Sequence, residues 1–303
     1  MKKMQTTLIV NPQANKGRSQ TLLPKITAAL KQLGVSFTVA ETQTRGHAVE
    51  LAYQAASSGV ERIVAVGGDG TCNEVVNGIL SAAETGKSAI FGVIPTGSGN
   101  DFAYALNIPN NVDRACAILK NGAERLIDAG KVTVDGKPRF FDNSVGLGFD
   151  GEVVVDIQRS KYLRGFLMYL WSVFRVLGFG RWPFKMTITQ GDAQIKQDIT
   201  LITIANGPRA GGGFLLTPKA APDDGLLDAC YVPGLSKWGV LTLLPKTIDG
   251  SHIHHPAVTL TTASALKISV EIGAPAHIDG EILCTQGREF QFEVLPKALR
   301  VWT

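Results

Sequence analysis

The first 130 residues alternate between short, largely apolar strands and amphipathic helices, and few architectures accommodate that pattern. TTLIVNP (6–12), SFTVAET (36–42), RIVAVGG (62–68) and AIFGVIP (89–95) read as strands. SQTLLPKITAALKQLG, ended by Gly34, HAVELAYQAASSG and NEVVNGILSAAETG read as the helices between them, and a helix-like segment runs through CAILKNG to Gly122. Apolar strands separated by helices of this length predict a parallel sheet covered on both faces. Ligands of such sheets bind beyond the carboxyl ends of the strands. The loops of interest are therefore NPQANKGRS, ETQTRGH, GGDGTCN and PTGSGND, each of which leaves a strand on that side.

From about residue 128 the period changes. RLIDAGKVTVDGKPRFFDNSVGLGFD, FKMTITQGDAQIKQDITLITIANG, GLLDACYVP, TASALKISVEI and REFQFEVLP alternate around Gly and Asp turns such as Asp135-Gly136, which predicts an antiparallel sandwich or barrel. The expectation is two closely apposed domains without a flexible linker: an α/β domain over 1–127 and an all-β domain over 128–287. The C-terminal segment 288–303 is a candidate to pack back on the first.

Composition narrows the class. Hydrophobic residues make up 45% and charged residues 18% of the 303, which argues against disorder. The formal charge of +4 is a mild excess that suits anionic lipid or nucleotides without deciding between them, and no nucleic-acid partner is expected. The cysteines (Cys72, Cys116, Cys230, Cys284) are far apart with no C-x-x-C pair, which argues against a zinc site or disulfide scaffold and suits a reducing cytosol. MKKMQTTLIVNP has the lysines of a signal peptide, but its apolar stretch is short and runs into Asn-Pro. The longest near-continuous apolar run, FLMYLWSVF at 166–174, falls short of the roughly 20 residues that span a bilayer. A cytoplasmic protein, soluble or peripheral at the inner face of the membrane, is expected.

Four strand-exit loops rich in Gly, Asn, Ser and Thr offer backbone N–H groups and helix N-termini to an anion, and Lys16 and Arg18 lie within reach of a polyphosphate. Neither G-x-x-x-x-G-K-[ST] nor a G-x-G-x-x-G after the first strand is present, so this is neither a P-loop nor a dinucleotide Rossmann site. Glycine suits such loops because it tolerates positive φ and lets a phosphate approach the backbone. Asp69, among the glycines of GGDGT, has two readings. It is a helix cap bonding the N2 or N3 amide of its own helix. Alternatively it acts beside phosphate through a divalent cation, or by orienting the attacking group. In GSGNDFAYAL, Ser98, Asn100 or Asp101 is expected to open the next helix.

NPQANKGR, GGDGTCNEVVNGI, IPTGSGNDFA, PDDGLLDA and HIDGEI, in this order and at these separations, resemble the diacylglycerol kinase catalytic family of bacterial soluble lipid kinases, from Asn11 to about Glu281. GGDGT alone is shared with NAD kinases and phosphofructokinases; its combination with GSGNDFA and the late DGE is specific. The resemblance implies an ATP:lipid phosphotransferase with an N-terminal NAD-kinase-like, doubly wound parallel-sheet domain and a C-terminal antiparallel β-sandwich domain. It further implies that Asn11, Pro12, Gln13, Ala14, Asn15, Thr42, Gly67, Gly68, Asp69, Gly70, Thr71, Cys72, Asn73 and Ser98 line the ATP site. Ser98 stands where the family often has Thr; either hydroxyl serves as a donor.

By the same resemblance Asp279 is the catalytic base, Glu281 supports Asp279 or Mg²⁺, and Asp69 shares the reaction centre. A lipid hydroxyl is a poor nucleophile, and a carboxylate that takes its proton answers that need. On the residues alone Asp279-Gly280 is a β-turn. Asp69 and Asp279 are expected to converge on one nucleotide. The family's structural Mg²⁺ site, apart from the Mg²⁺ that accompanies ATP, maps to Ala221, Asp224 and Leu226, where Asp223, Asp224 and Asp228 otherwise read as a plain turn.

Three features remain. Between Ile157 and Gly191 there is no acidic residue, and Arg159, Lys161, Arg164, Arg175, Arg181 and Lys185 interleave with Tyr162, Phe166, Tyr169, Trp171, Phe174 and Trp182. Leu163, Phe166, Leu167, Leu170, Phe174 and Leu177 follow helical spacing, which reads either as core or as an interfacial segment docking on anionic membrane. His252, His254 and His255 in SHIHHP read as a solvated loop. Arg209, in NGPRAGGGF, is a weak phosphate candidate. The expected reaction moves the γ-phosphoryl of ATP to a lipid hydroxyl at the membrane surface, with diacylglycerol the first choice; a homodimer is left open. The rivals are a soluble-substrate kinase of the NAD-kinase type and a nucleotide-binding membrane adaptor without catalysis.

Overall fold

The computed structural model describes residues 4–159 and 165–303. They divide into two compact units, one of residues 4–129 with 296–303 and the other of the described residues from 130 to 295.

The first unit follows the alternation of the sequence. Strands β1 (Thr6–Val10), β2 (Phe37–Glu41), β3 (Arg62–Gly67) and β4 (Ile90–Pro95) alternate with helices α1 (Arg18–Gln32), α2 (His47–Ser57) and α3 (Asp69–Ala83), followed by α4 (Asp101–Ala105) and α5 (Val112–Asn121). The strands pair in parallel in the order β2-β1-β3-β4. β3 and β4 are buried along their whole length, as their unbroken apolar runs require, whereas the edge strand β2 is half exposed. α2 and α3 pack closely: a methyl on Gly78 would collide with the Val49 carbonyl and the Ala52 side chain. α3 begins at Asp69, four residues before the apolar periodicity does, because the extended Gly68 offers its carbonyl to the N–H groups of Thr71 and Cys72 (3.0 Å each).

β5 (Glu124–Val134) leaves this unit, and the chain returns on the last residues of a 22-residue strand described below. Its C-terminal end is fixed in the first unit. Val301 pairs in parallel with Phe91, Thr303 exchanges backbone hydrogen bonds with Ala123, and Arg300 grips Glu124 through two 2.7 Å bonds. Arg62 lies 5.2 Å from the Trp302 ring centroid, a cation–π contact.

The second unit contains β6 (Lys137–Phe141), β7 (Ser144–Gly148), α6 (Phe149–Arg159), α7 (Gly165–Phe179), β8 (Phe184–Gln190), β9 (Ala193–Ala205), β10 (Leu227–Pro233), α8 (Lys237–Leu243), α9 (Lys246–Asp249), a 3₁₀ turn (Ser251–His254), β11 (Thr259–Ala263), β12 (Ala265–Ile278) and most of β13 (Glu281–Trp302). Its pairings are antiparallel: β9 joins β7, β8 and β10; β12 joins β7, β8 and β13; β10 joins β11. β9 and β12 each pair with β8 along their outer or early residues and with β7 near their ends, so β7, β9, β8 and β12 close a ring. β12 manages the change through register shifts between Ser269 and His277, with Gly273 at φ 81°. The enclosed core includes Val145, Leu147, Ile202, Ile204, Ile268 and Phe290. A smaller cluster joins Phe149 and Val153 of α6, Val173, Val176 and Leu177 of α7, and Val240 of α8.

This cluster sorts the described part of the apolar spacing over 163–177, which read either as core or as an interfacial segment. Val173, Val176 and Leu177 face inward with the buried Ser172, whereas Phe174 is exposed and Leu170 half-buried. Aromatic and aliphatic residues occupy both faces of α7, so their spacing alone does not identify the buried one. Lys161, Tyr162, Leu163 and Arg164 lie outside the described residues, and the side chains of Arg159, Phe166, Leu167 and Tyr169 are likewise not described. Among the described residues no helix is long and apolar enough to cross a membrane.

Candidate active site

In the first unit, three of the strand-exit loops are bonded to one another at the carboxyl edge of the sheet. Asn11 Nδ2 donates to Thr71 Oγ1 (3.2 Å), Asn15 Nδ2 donates to the Thr96 carbonyl (3.3 Å), and the hydroxyls of Ser19 and Thr96 share a 2.6 Å bond. The backbone N–H groups of Thr96 and Gly97 both donate to the Gly67 carbonyl. The first loop turns into α1 through three consecutive positive-φ residues, Asn15, Lys16 and Gly17. The fourth loop is placed by Thr42, whose N–H donates to the Val10 carbonyl (2.8 Å). Glu74, on α3, accepts from Gly46 N and Ala48 N (2.8 and 3.1 Å) and so caps the start of α2. Sequence reasoning did not single out Glu74, Ser19 or Thr96, although the capping chemistry of Glu74 was available in principle.

The glycines here work differently from the expectation. Gly68 has φ −105°, outside the left-handed region. Gly68 and Gly97 lie back to back: a Cβ on either would strike the Cα of the other. Their small size lets the third and fourth strand exits meet. Gly67 has the same role toward the Thr71 side chain.

Asp69 caps a helix, but not its own. α3 has no side-chain cap; the Asp69 carboxylate instead accepts Asn100 N–H (2.8 Å) and Phe102 N–H (3.1 Å) at the start of α4. The fold brings the DG of one loop against the ND of the next, a long-range pairing that local cap rules do not contain. α4 follows Asn100, which sits at φ 56° with its side-chain amide bonded to the Gly97 carbonyl and to Asn110, and which makes no side-chain cap bond. Ser98 is exposed, Thr71, Cys72 and Asn73 are buried in the first turns of α3 with Gly70 half-buried at its start, and Pro12, Gln13 and Ala14 lie on the partly open first loop.

Asp279 belongs to the second unit. It and Gly280 (φ 46° and 80°) form the two-residue turn between β12 and β13, with Ile278 opposite Glu281. The turn reading was correct as geometry, and it places the Asp279 carboxylate inward. That carboxylate is buried, accepting Ser144 N–H (2.6 Å) and Asp142 N–H (3.4 Å), while Asp279 N–H donates to the Ser144 carbonyl (2.9 Å). Glu281, the first residue of β13, is half-buried.

Two residues before Asp279, His277 lies fully inside the unit with Nε2 2.7 Å from Asp150 Oδ2 in the first turn of α6. Burial alone would lower the His277 pKa; the charge of Asp150, its hydrogen bond and the charge of Asp279 outweigh that and raise it. Gly146, opposite His277 on β7, leaves the space for this pair, since a Cβ there would overlap both side chains. Period-two alternation already set His277 on the same strand face as the residue it precedes by two, but nothing in the sequence named Asp150 as its partner.

In the 221–228 loop Asp224 Oδ1 accepts the Leu226 N–H (3.0 Å), and Gly225 turns at φ 77°. Burial, together with the charge of Asp224, pushes the Asp228 carboxyl up to about 6. No group of three or more His, Cys, Asp and Glu gathers among the described residues. A ligand set of one carboxylate and two carbonyls is not such a group, and oxygen donors of that kind are the ones a hard cation takes. Arg209, half-buried, offers its carbonyl to Asn143 Nδ2 (2.8 Å).

The histidine cluster needs correction: His252 is buried, its Nε2 3.1 Å from the Leu216 carbonyl and 3.9 Å from Cys230 Sγ. Its burial lowers its pKa. Only His254 is exposed as expected of a solvated loop. The 3₁₀ turn folds the first histidine inward, which a run of polar residues before Pro256 does not reveal.

The sequence profile of the diacylglycerol kinase catalytic domain matches residues 5–132, and that of the YegS C-terminal NAD kinase beta sandwich-like domain matches 143–303. The chain belongs to the diacylglycerol kinase catalytic family. It is 29% identical over 298 residues to a protein of Mycobacterium tuberculosis (strain ATCC 25618 / H37Rv) named "Diacylglycerol kinase", covering 97% of this chain and 94% of that one. A Stenotrophomonas maltophilia (strain K279a) protein named "Probable lipid kinase YegS-like" is 31% identical over 271 residues, 88% of this chain and 87% of the relative. A solved diacylglycerol kinase structure from Bacillus anthracis str. Sterne superposes over 100% of this chain and 97% of its own with TM-score 0.73 at 24% identity. This family member is a diacylglycerol kinase-like lipid kinase of mixed α/β and β construction.

Proposed function

We propose that the enzyme transfers the γ-phosphoryl group of ATP to the primary hydroxyl of diacylglycerol at the membrane surface, giving phosphatidic acid. The observation that carries this reading is the bonded set of strand-exit loops, Asn11–Thr71, Asn15–Thr96 and Asp69–Asn100, which fixes backbone donors and helix starts at the sheet edge where a triphosphate binds in folds of this class. In it the residues 11–15, Thr42, 67–73 and Ser98 hold ATP in an NAD-kinase-like, doubly wound domain, and the antiparallel domain, a β-sandwich, presents the lipid.

Asp279 is the base in this reading. The N–H groups of Asp142 and Ser144 fix its carboxylate, which takes the hydroxyl proton as the lipid oxygen attacks phosphorus. Glu281 supports Asp279 in this reading. Mg²⁺ supplies charge neutralisation on the triphosphate, and a second Mg²⁺, held by Ala221, Asp224 and Leu226, would stabilise the loop.

The test is transfer of label from γ-labelled ATP across a panel of lipids in mixed micelles, with and without Mg²⁺, and with NAD as a soluble acceptor. Label in phosphatidic acid supports the proposal. Label in NAD with none in any lipid overturns it in favour of a soluble-substrate kinase, and nucleotide binding with no acceptor labelled overturns it in favour of an adaptor.

A further inference from the structure

Every Phe and Trp that is exposed among the described residues lies on α7 or in the first turn of α8. Phe179 is 91% exposed, Trp238 77%, Trp171 52% and Phe174 51%. On α7 the exposed positions 171, 174, 175, 178 and 179 form one helical stripe, opposite the buried 172, 173, 176 and 177. The two helices are joined where the aromatics are: Lys237 Nζ donates to the Gly178 carbonyl (3.3 Å), and Val240 shares a buried cluster with Val176 and Leu177. Phe179 and Trp238 each adjoin a member of that bond, so the aromatics of both helices form one patch.

Single exposed apolar residues are ordinary, but four large rings gathered on one helix pair mark a surface that meets something apolar. The charge around them says what. No acidic residue occurs from Ile157 to Gly191 or from Ala229 to Ile248, while Arg175, Arg181, Lys185, Lys237 and Lys246 are exposed within these stretches. Asp156 pairs with Arg175 and Asp198 lies opposite Lys185, but the two stretches themselves carry only cations beside their aromatic rings, a composition that complements an anionic bilayer surface.

We propose that the outer face of α7 with the start of α8 is the surface by which this enzyme docks on anionic phospholipid membrane, with Trp171, Phe174, Phe179 and Trp238 entering the interface. This rests on the lipid-kinase reading and adds the place of attachment. The same unit links the patch to the proposed base. α6 places Asp150 against His277 at one end and pairs Asp156 with Arg175 of α7 (3.2 Å) further along. Asp150 and Asp156 are six positions apart, about 9 Å of helix. One helix thus joins the docking surface to the strand that leads into the Asp279 hairpin.

The test is sedimentation of the full chain with vesicles of phosphatidylcholine alone and of phosphatidylcholine mixed with phosphatidylglycerol, without ATP. Wild type should bind the mixed vesicles in a salt-sensitive way, with a blue shift of tryptophan emission. Phe179→Ala combined with Trp238→Ala should weaken partitioning by about tenfold or more. Arg181→Glu with Lys237→Glu should abolish the preference for anionic vesicles. All four sites are exposed, so circular dichroism should show unchanged folding. Wild-type binding by both double variants overturns the proposal. So does a wild-type dimer that Phe179→Ala/Trp238→Ala converts to monomer while vesicle binding is unchanged, which would make the patch a contact with a second copy. Failure of the kinase reading is separately visible, because the micelle panel would then show no labelled lipid even with vesicle binding intact.

Discussion

The Asp69 carboxylate accepts the backbone N–H of Phe102 at 3.1 Å, tying the exit loop of the third parallel strand to the helix that follows the fourth. With the companion bond from Asn100 N–H at 2.8 Å, one acid organises two of the loops assigned here to ATP. An acid among glycines is therefore no anomaly: its charge is directed at N–H donors of the neighbouring loop.

Asp69→Asn tests that structural role. The amide keeps one acceptor oxygen and presents an NH₂ group to the other N–H, so one charge-assisted bond is lost and a donor faces a donor. The expected loss is about 1–2 kcal/mol of stability, read as a lower urea midpoint with an unchanged slope. ATP should also protect the variant from urea less than it protects wild type, because two loops of the proposed site loosen together. A midpoint equal to wild type would remove Asp69 from the framework of the site.

Asp279→Asn isolates the base. Asn tolerates the left-handed conformation that Asp279 adopts at φ 46°, so the hairpin should survive, whereas Ala at this position would add backbone strain. The expected result is a fall in kcat of about 10²–10⁴-fold, the usual worth of general base catalysis, with ATP affinity close to wild type by calorimetry. Wild-type turnover in Asp279→Asn would reject the base assignment.

What the sequence disclosed divides along the range of the forces involved. The parallel strands and their helices were legible because apolar periodicity is local, and β3 and β4 are as completely buried as their composition requires. The Asp279-Gly280 turn was legible because a two-residue hairpin needs positive φ at both positions. Hidden were the relations between distant segments: Asp69 with α4, Glu74 with α2, His277 with Asp150. Each is a hydrogen bond across 26 to 127 positions, and no local pattern encodes its partner. α7 stayed undecided for a different reason, because its buried and exposed faces are both apolar and hydrophobicity does not tell them apart.

Asp228 predicts a pH dependence. Its carboxyl, pushed up to about 6 by burial and by the charge of Asp224, holds its proton more tightly in the fold than in the unfolded chain. Its contribution to stability is thus fully present below about pH 4 and is lost as pH rises through about 6. Asp228→Asn should gain on the order of 1–2 kcal/mol over wild type well above that value and nothing in strong acid, by urea unfolding across pH. Equal pH slopes in the two proteins would contradict the assignment. Added Mg²⁺ should narrow the difference, and Asp224→Ala should remove that effect of Mg²⁺ on the melting temperature.

His277 runs in the opposite chemical sense. Burial opposes its charge, but Asp150 at 2.7 Å and the nearby Asp279 overcome burial and raise its pKa. A histidine with a raised folded pKa contributes stability that is fully present below its unfolded value of about 6.5 and is lost as pH rises through the folded value. His277→Gln should therefore show its largest deficit in urea midpoint at about pH 6 and a smaller one at about pH 9, and the wild-type His277 ring protons should titrate above the ordinary histidine range by NMR. Gly146→Ala should act similarly by a different route. Its added methyl overlaps both His277 and Asp150, so the pair must separate, at a cost of about 1–3 kcal/mol, with part of the pH dependence lost. Because Asp279 shares the hairpin, both variants should also lower kcat more than they raise the KM for ATP. A His277→Gln deficit that is the same at both pH values would show that His277 contributes through packing alone and that its charge has no part in holding the hairpin.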